Sequence, residues 1–80
     1  MALKLVFLGR LEDVAGAPER LVPHCPNLVA VLSGLDEALR RMIVDSRVRI
    51  AVNGALAGDS AALVLEDGDE IAFLPPVSGG

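Results

Sequence analysis

The chain has no tryptophan, no tyrosine and only two phenylalanines among its 80 residues. With 52% hydrophobic residues, its core must be aliphatic, filled by Leu, Val, Ile and Ala. A single cysteine excludes an internal disulfide and fits a reducing cytosol. A single histidine, with no second Cys or His, leaves nothing from which to build a thiolate–imidazole metal site. No apolar run approaches the roughly 20 residues that span a bilayer. The N-terminus carries one Lys, Lys4, without a signal-peptide cleavage pattern. Basic residues are scarce too: seven Lys and Arg face eleven Asp and Glu, for a net charge of −4. Without a basic stripe, a phosphate-backbone binder is excluded. These absences predict one soluble, cytoplasmic domain, with neither nucleic acid nor membrane as a partner and a core of marginal stability by itself.

What is present is a clear alternation of apolar residues. Residues 3–8 read as a strand with Leu3, Leu5 and Phe7 on one face and Lys4, Val6 and Leu8 on the other. In the connection 9–17, Leu11 and Val14 are spaced for a turn of helix, and Gly16 is its stop. Residues 19–22 form a second strand paired with the first, and Pro23 and Pro26 bracket a break in regular structure. Asn27 is a good N-cap for the clearest amphipathic helix, with Leu28, Val31, Leu32 and Leu35 on one side and Gly34 near its end. Asp36 can cap a second short piece presenting Leu39, Met42 and Ile43. A third strand spans 47–52. Asn53-Gly54 predicts a type I′ hairpin returning through 55–57. Leu63 and Leu65 lead into an Asp67-Gly68 turn, and 70–74 is the last strand, with Ile71 and Phe73 on one face. One main helix must then cover one face of a mixed sheet of about five strands. The α+β, β-grasp (ubiquitin-like) arrangement satisfies this order, with the first and last strands side by side at the centre.

The same parity points Leu8 and Leu74 away from the helix. Because Val52 pairs with Ala55 across the hairpin, Leu56 shares the face of Ala51, again outward. Three outward leucines near the last strand's end form a candidate docking patch. Leucines exposed singly are common on any surface, so parity leaves both readings open.

Residues that could carry chemistry are few. His24 and Cys25 are adjacent in an extended stretch and point opposite ways, which suits a loop histidine beside a half-buried hydrophobe better than a nucleophile–base pair. Glu66, Asp67, Asp69 and Glu70 could look like a cation site, but an Asp-Gly turn flanked by charge is ordinary hairpin chemistry and is the better reading. Gly79-Gly80 is followed by no helix and is not a phosphate loop. That leaves the closing Pro75-Pro76-Val77-Ser78-Gly79-Gly80. A 1–74 body would carry a 75–80 extended, flexible tail. Its prolines form a stiff stem, its glycines have no Cβ to obstruct a narrow channel, and Gly80 ends in a free carboxylate. The four residues past Pro76 reach at most about 14 Å. A carboxylate reacts with nucleophiles only after activation, typically as an anhydride with AMP, in another protein's site. The competing reading is an incidental, disordered end.

Three segments carry a family resemblance: Leu5-Val6-Phe7-Leu8-Gly9-Arg10-Leu11-Glu12-Asp13-Val14-Ala15-Gly16, then Ala51-Val52-Asn53, then Asp67 through the Leu74-Pro75-Pro76-Val77-Ser78-Gly79-Gly80 ending. Together they resemble the small-subunit family of molybdopterin synthase, the ubiquitin-like sulfur carriers of molybdenum cofactor biosynthesis. The chain departs from the commonest family form in a shortened first helix, with Gly34 where more helix is usual, and in Leu8 where a second Phe often stands. The resemblance implies a subunit that is not catalytic alone. An E1-like adenylating enzyme would use MgATP to make an acyl-adenylate at Gly80, and a cysteine-derived persulfide would convert it to a thiocarboxylate. Inserted into the synthase large subunit, the tail (Pro75, Pro76, Val77, Ser78, Gly79) would present Gly80 to cyclic pyranopterin monophosphate. Two small subunits would flank a large-subunit dimer as a heterotetramer. Positions matching Leu8, Leu56 and Leu74 would contact both partners. No cofactor would be tightly bound, AMP being transient, and no metal is implied. Rival readings on the same fold are a sulfur carrier for thiamine or cysteine synthesis, a ubiquitin-like modifier of lysines, and a plain binding module.

Overall fold

A computed structural model describes residues 2–45, 47–57 and 63–75. Its five strands are β1 (Ala2–Phe7), β2 (Glu19–Pro23), β3 (Arg49–Val52), β4 (Ala55–Leu56) and β5 (Glu70–Leu74). They lie in the order β2-β1-β5-β3-β4, so the first and last strands meet near the middle, as the β-grasp requires. β1 and β5 are parallel, in the register Leu5↔Ile71, Val6↔Ala72 and Phe7↔Phe73. β2 pairs with β1, and β3 with both β5 and β4, all antiparallel.

The alternation in β1 and β5 becomes burial on one side. Leu3, Leu5, Phe7, Ile71 and Phe73 are fully buried, and Phe7 and Phe73 stack with ring centroids 5.7 Å apart at an interplanar angle of 17°. Three helices cover this face: α1 (Arg10–Ala15), α2 (Leu28–Ser33) and α3 (Glu37–Ile43). They contribute buried Leu11, Leu28, Val31, Leu39 and Ile43, with Leu35 buried between α2 and α3. The cover expected from one main helix is thus shared by short helices. The break after α2 follows from Gly34, a poor helix former, and from Asp36, whose extended ψ of 147° cannot continue a helix.

Capping agrees with the sequence at one helix and not at another. The Asn27 side chain accepts from the Ala30 N–H at 2.8 Å, and Gly16 closes α1 in the left-handed conformation. Asp36 holds the N-cap position of α3 without any side-chain capping bond, which corrects its expected role. Arg20 extends under α1 instead, donating to the Ala15 carbonyl at 3.1 Å and lying 5.8 Å from the Phe7 ring centre.

Strand ends move by one or two residues. β1 stops at Phe7 because Leu8 opens a turn, its carbonyl accepting from the Leu11 N–H at 3.1 Å. β3 begins at Arg49 because Asp45 holds Arg47 in a turn, accepting from its backbone N–H at 2.9 Å and pairing with its guanidinium at 3.0 Å. β4 is one residue shorter than expected, yet the Ala57 N–H still reaches the Ile50 carbonyl at 2.8 Å. The hairpin tip is the type I′ turn expected, with Asn53 at φ 52° and Gly54 at φ 85°. Asn53 also ties the tip to β5: its Oδ1 accepts from the Glu70 N–H and its Nδ2 donates to Asp69, both at 3.0 Å.

Two measurements check this picture. Phe73→Ala should cost about 3–5 kcal/mol in urea unfolding, a large part of the stability of so small a domain. Hydrogen bonds from Arg47 lower Asp45 to about 2 from its ordinary 3.8, and the Glu66 N–H, then Asn53, lower Asp69 as well. Carboxyls lowered on folding confer stability that is complete above 3.8 and lost as pH falls toward about 2. Thermal melts of Asp45→Asn with Asp69→Asn should therefore show a flatter loss of Tm through that window than the wild type.

Candidate functional site

The sheet face opposite the helices carries an apolar row that crosses four strands. Register places Val6, Ala72, Ala51 and Leu56 side by side on β1, β5, β3 and β4. Ala51 is buried, Val6 and Ala72 are half-buried, and Leu56 stands 66% exposed at the edge. Two alanines in the middle make the row low there, bounded by leucine on the β4 side. Strand spacing puts β4 roughly 10 Å from β5.

The three leucines picked out by parity all turn outward. Leu8 is exposed just past β1, and Leu74, half-buried, lies on the outer face of β5 opposite Arg49 of β3. By continuation of the parallel register, Leu8 is level with Leu74. Both lie at the end of the sheet from which the chain leaves β5, one step beyond the Val6–Leu56 row. Sequence reasoning put Val6 and Ala51 on this outer side without joining them to Ala72 as its floor, and it missed Leu21. Leu21 is exposed on β2 and faces the same side through its pairing with Lys4. The signal for all four is cross-strand register, which follows only once strand order is known.

Charge bounds the face at its far end. Lys4 lies 3.1 Å from Glu19 and 3.7 Å from Glu70 across three strands. The bond from Glu19 raises the Lys4 ammonium above its usual range, with Glu70 adding to it. Leu8, Leu74 and the Val6–Leu56 row thus lie nearer the exit from β5 than the Lys4–Glu70 pair, with Arg49 opposite Leu74 at the exit and Leu21 level with Lys4.

The other sequence candidates have structural partners. His24 Nε2 is 3.0 Å from the Leu65 carbonyl, so that nitrogen donates, and the Leu65 N–H donates in turn to the Pro26 carbonyl at 2.9 Å. Cys25, half-buried, directs its thiol to the Pro23 carbonyl. In the acidic turn, Asp67 accepts from the Ala2 N–H at 2.7 Å and Asp69 from the Glu66 N–H at 2.9 Å. These carboxylates close a turn at Gly68 (φ 88°). Among the described residues no three His, Cys, Asp or Glu side chains are grouped to hold a metal ion, and no helix is long and apolar enough to cross a membrane. Of the proposed tail, Pro75 is described and half-buried, whereas Pro76, Val77, Ser78, Gly79 and Gly80 lie outside the described residues.

Comparison with known proteins adds to this geometry. Residues 5–80 match the model of the ThiS family. The chain is similar to the molybdopterin synthase sulfur carrier subunit of Anopheles gambiae, 31% identical over 86 aligned residues that cover 98% of this chain and 91% of that protein. Its fold is similar to the solution structure of small archaeal modifier protein 1 from Methanosarcina acetivorans, at a TM-score of 0.82 and 29% identity, covering 99% and 96% of the two chains. It is also similar to a chain in the complex of subunits 1 and 2 of molybdopterin-converting factor from Helicobacter pylori 26695, at a TM-score of 0.69 and 29% identity over the whole of both chains.

If the outer face is a surface and not a core, charge placed on it is tolerated. Leu56→Glu should shift urea unfolding by no more than about 0.5 kcal/mol. Leu74→Glu should cost more but leave a cooperative transition, whereas Ile71→Glu, at a fully buried position, should abolish folding.

Proposed function

The chain belongs to the ThiS family, and on that premise we propose that it is the sulfur carrier subunit of a molybdopterin synthase in molybdenum cofactor biosynthesis. The observation that carries this reading is similarity to such a subunit over 98% of the chain. In this reading residues 1–74 are the body and 75–80 the working tail.

The chemistry is that of an activated carboxylate. A Gly80 carboxylate oxygen attacks the α-phosphorus of MgATP on an E1-like partner, pyrophosphate leaves, and an acyl-adenylate forms. The terminal sulfur of a cysteine-derived persulfide then attacks the acyl carbon and expels AMP. Two electrons from a thiol split the remaining S–S bond and leave the thiocarboxylate. In the synthase that sulfur passes to cyclic pyranopterin monophosphate, and water returns the oxygen to Gly80. Each carrier delivers one sulfur, so a dithiolene requires two. AMP is a passing group, and no tightly bound cofactor or metal takes part on this chain.

This chain's own contribution is docking and reach. Leu8, Leu56 and Leu74, over the low row of Val6, Ala72 and Ala51, form the surface that seats the body on the large subunit and on the adenylating enzyme. Pro75, Pro76, Val77, Ser78 and Gly79 carry Gly80 inward. The large-subunit reading is supported by likeness to a chain of the Helicobacter pylori complex of subunits 1 and 2. A heterotetramer of two carriers and two large subunits in the cytoplasm completes the proposal.

One observation favours a second reading, a protein modifier: the fold is similar to small archaeal modifier protein 1 at a TM-score of 0.82, against 0.69 for the converting-factor chain at the same 29% identity. Both readings begin with Gly80 adenylation and part at the acceptor, sulfur in one and a lysine amine in the other.

Intact mass spectrometry after incubation with the adenylating enzyme, MgATP and a persulfide donor separates them. The expected product has one oxygen replaced by sulfur at Gly80. An unchanged mass under conditions that convert a known carrier contradicts the proposal, and higher-mass lysine conjugates would favour the modifier. In a separate titration against the large subunit, Leu74→Glu should weaken binding at least about tenfold, the loss of roughly 1.4 kcal/mol at a buried contact.

A further inference from the structure

Gly9 is the one glycine among those described where a side chain of another element occupies the space that a Cβ would enter. A Cβ built there would lie 3.0 Å from Cγ of Pro75 and 4.0 Å from its Cδ. At Gly16, Gly54 and Gly68 the corresponding space is open. Contact at 3.0 Å is tight for two carbons, so an added methyl requires the proline ring to give by a few tenths of an ångström. The backbone also requires glycine: Gly9 has φ 56° and ψ −131°, the first central position of a type II′ turn. That turn is closed by the Leu8 carbonyl accepting from the Leu11 N–H at 3.1 Å.

The register explains why these two residues meet. Phe7 is level with Phe73 on the parallel strands, so Gly9 falls level with Pro75. Pro75 has no N–H to donate, and the backbone ladder between β1 and β5 cannot continue through it. Beyond that point the direction of the chain is set by how the Pro75 ring seats on its neighbours. A residue without a side chain provides a flat seat.

We propose that Gly9 is a positioning residue for the tail: by seating the Pro75 ring, it sets the direction in which the chain leaves β5 toward Gly80. This rests on the carrier reading above. A shift of Pro75 is a shift of the point at which the tail leaves the seated body. Misplacement by about 1 Å can cost on the order of 100-fold in rate. The docking face is left in place, so the effect belongs in the rate of the bound complex and not in its affinity.

The test is steady-state adenylation by the partner enzyme with MgATP, read as pyrophosphate release, giving kcat and the KM for the carrier. Gly9→Ala should lower kcat by about tenfold or more while KM changes less than about twofold. D-alanine at position 9 should rescue kcat, because it accepts the positive φ and carries its methyl on the other side of Cα. The D-residue can be introduced by ligating a synthetic 1–24 thioester to a 25–80 fragment that begins at Cys25, the only cysteine. In a Pro75→Ala background, adding Gly9→Ala should cost clearly less than in the wild type, because the clash with the ring is gone and only the backbone strain of an L-residue at φ 56° remains. An unchanged kcat in Gly9→Ala, no rescue by D-alanine, or full additivity with Pro75→Ala would each overturn the proposal. Should Gly9→Ala fail to fold, Pro75→Ala keeps the proposal open to refutation: the seated ring must matter to the reaction, and an undiminished kcat overturns it. Failure of the wild-type chain to be adenylated sinks the carrier reading itself, which separates the two outcomes.

Discussion

The parallel pairing of β1 with β5 is the constraint on which the rest of this structure depends. Two strands from opposite ends of the chain are brought into register, and the stacked rings of Phe7 and Phe73 lie at the heart of the contact. The helices pack on the face those rings define, and β2 and β3 flank the pair. Long-range parallel pairing has no local turn to set it. Here register is enforced by side chains, because a slip of one residue would turn the shifted strand over and bring its charge, Lys4 of β1 or Glu70 of β5, into the core. The Lys4–Glu70 pair on the outer face opposes the same slip from the other side.

That pairing also decides what the outer face can do. With β5 held on both edges, the chain leaves it from a fixed point, and Leu8 and Leu74 are brought to that point together. The row from Val6 to Leu56 continues the apolar surface across the sheet, and the Lys4, Glu19 and Glu70 group closes it off at the other end. A domain without a catalytic cluster among its described residues can still serve a reaction when it does two things. It must present a surface that fits a partner, and it must hand over a reactive end in a defined direction. The family match and the geometry of the face fit that division of labour.

Much of this was legible in the sequence, and the reasons are local. Alternation in 3–8 and 70–74 marked the buried face, Asn53-Gly54 marked the hairpin, and Asn27 marked a cap, each through interactions within a few residues. The hydrophobic spacing also located α2 and α3 but not how the helical cover is shared, which depends on the backbone at Gly34 and Asp36. Asp36 resembled a cap and makes no capping bond; nothing within its own segment signals that. Leu21 and Ala72 were missed, and Val6 and Ala51 were placed outward but not joined into one row, because the common face exists only after the strands are ordered. The Gly9–Pro75 contact joins residues far apart in sequence, and only coordinates bring it out.

The central claim is that this chain carries sulfur at Gly80 and surrenders it inside a partner. The most direct measurement is a single turnover in which the chain, loaded at Gly80 with isotopically labelled sulfur, is mixed with the large synthase subunit and cyclic pyranopterin monophosphate. The account predicts that label leaves the chain and appears in the dithiolene, one labelled sulfur per carrier, with Gly80 returned to a carboxylate. Label that stays on Gly80, or that leaves only as free sulfide while the pterin remains unlabelled, would contradict it.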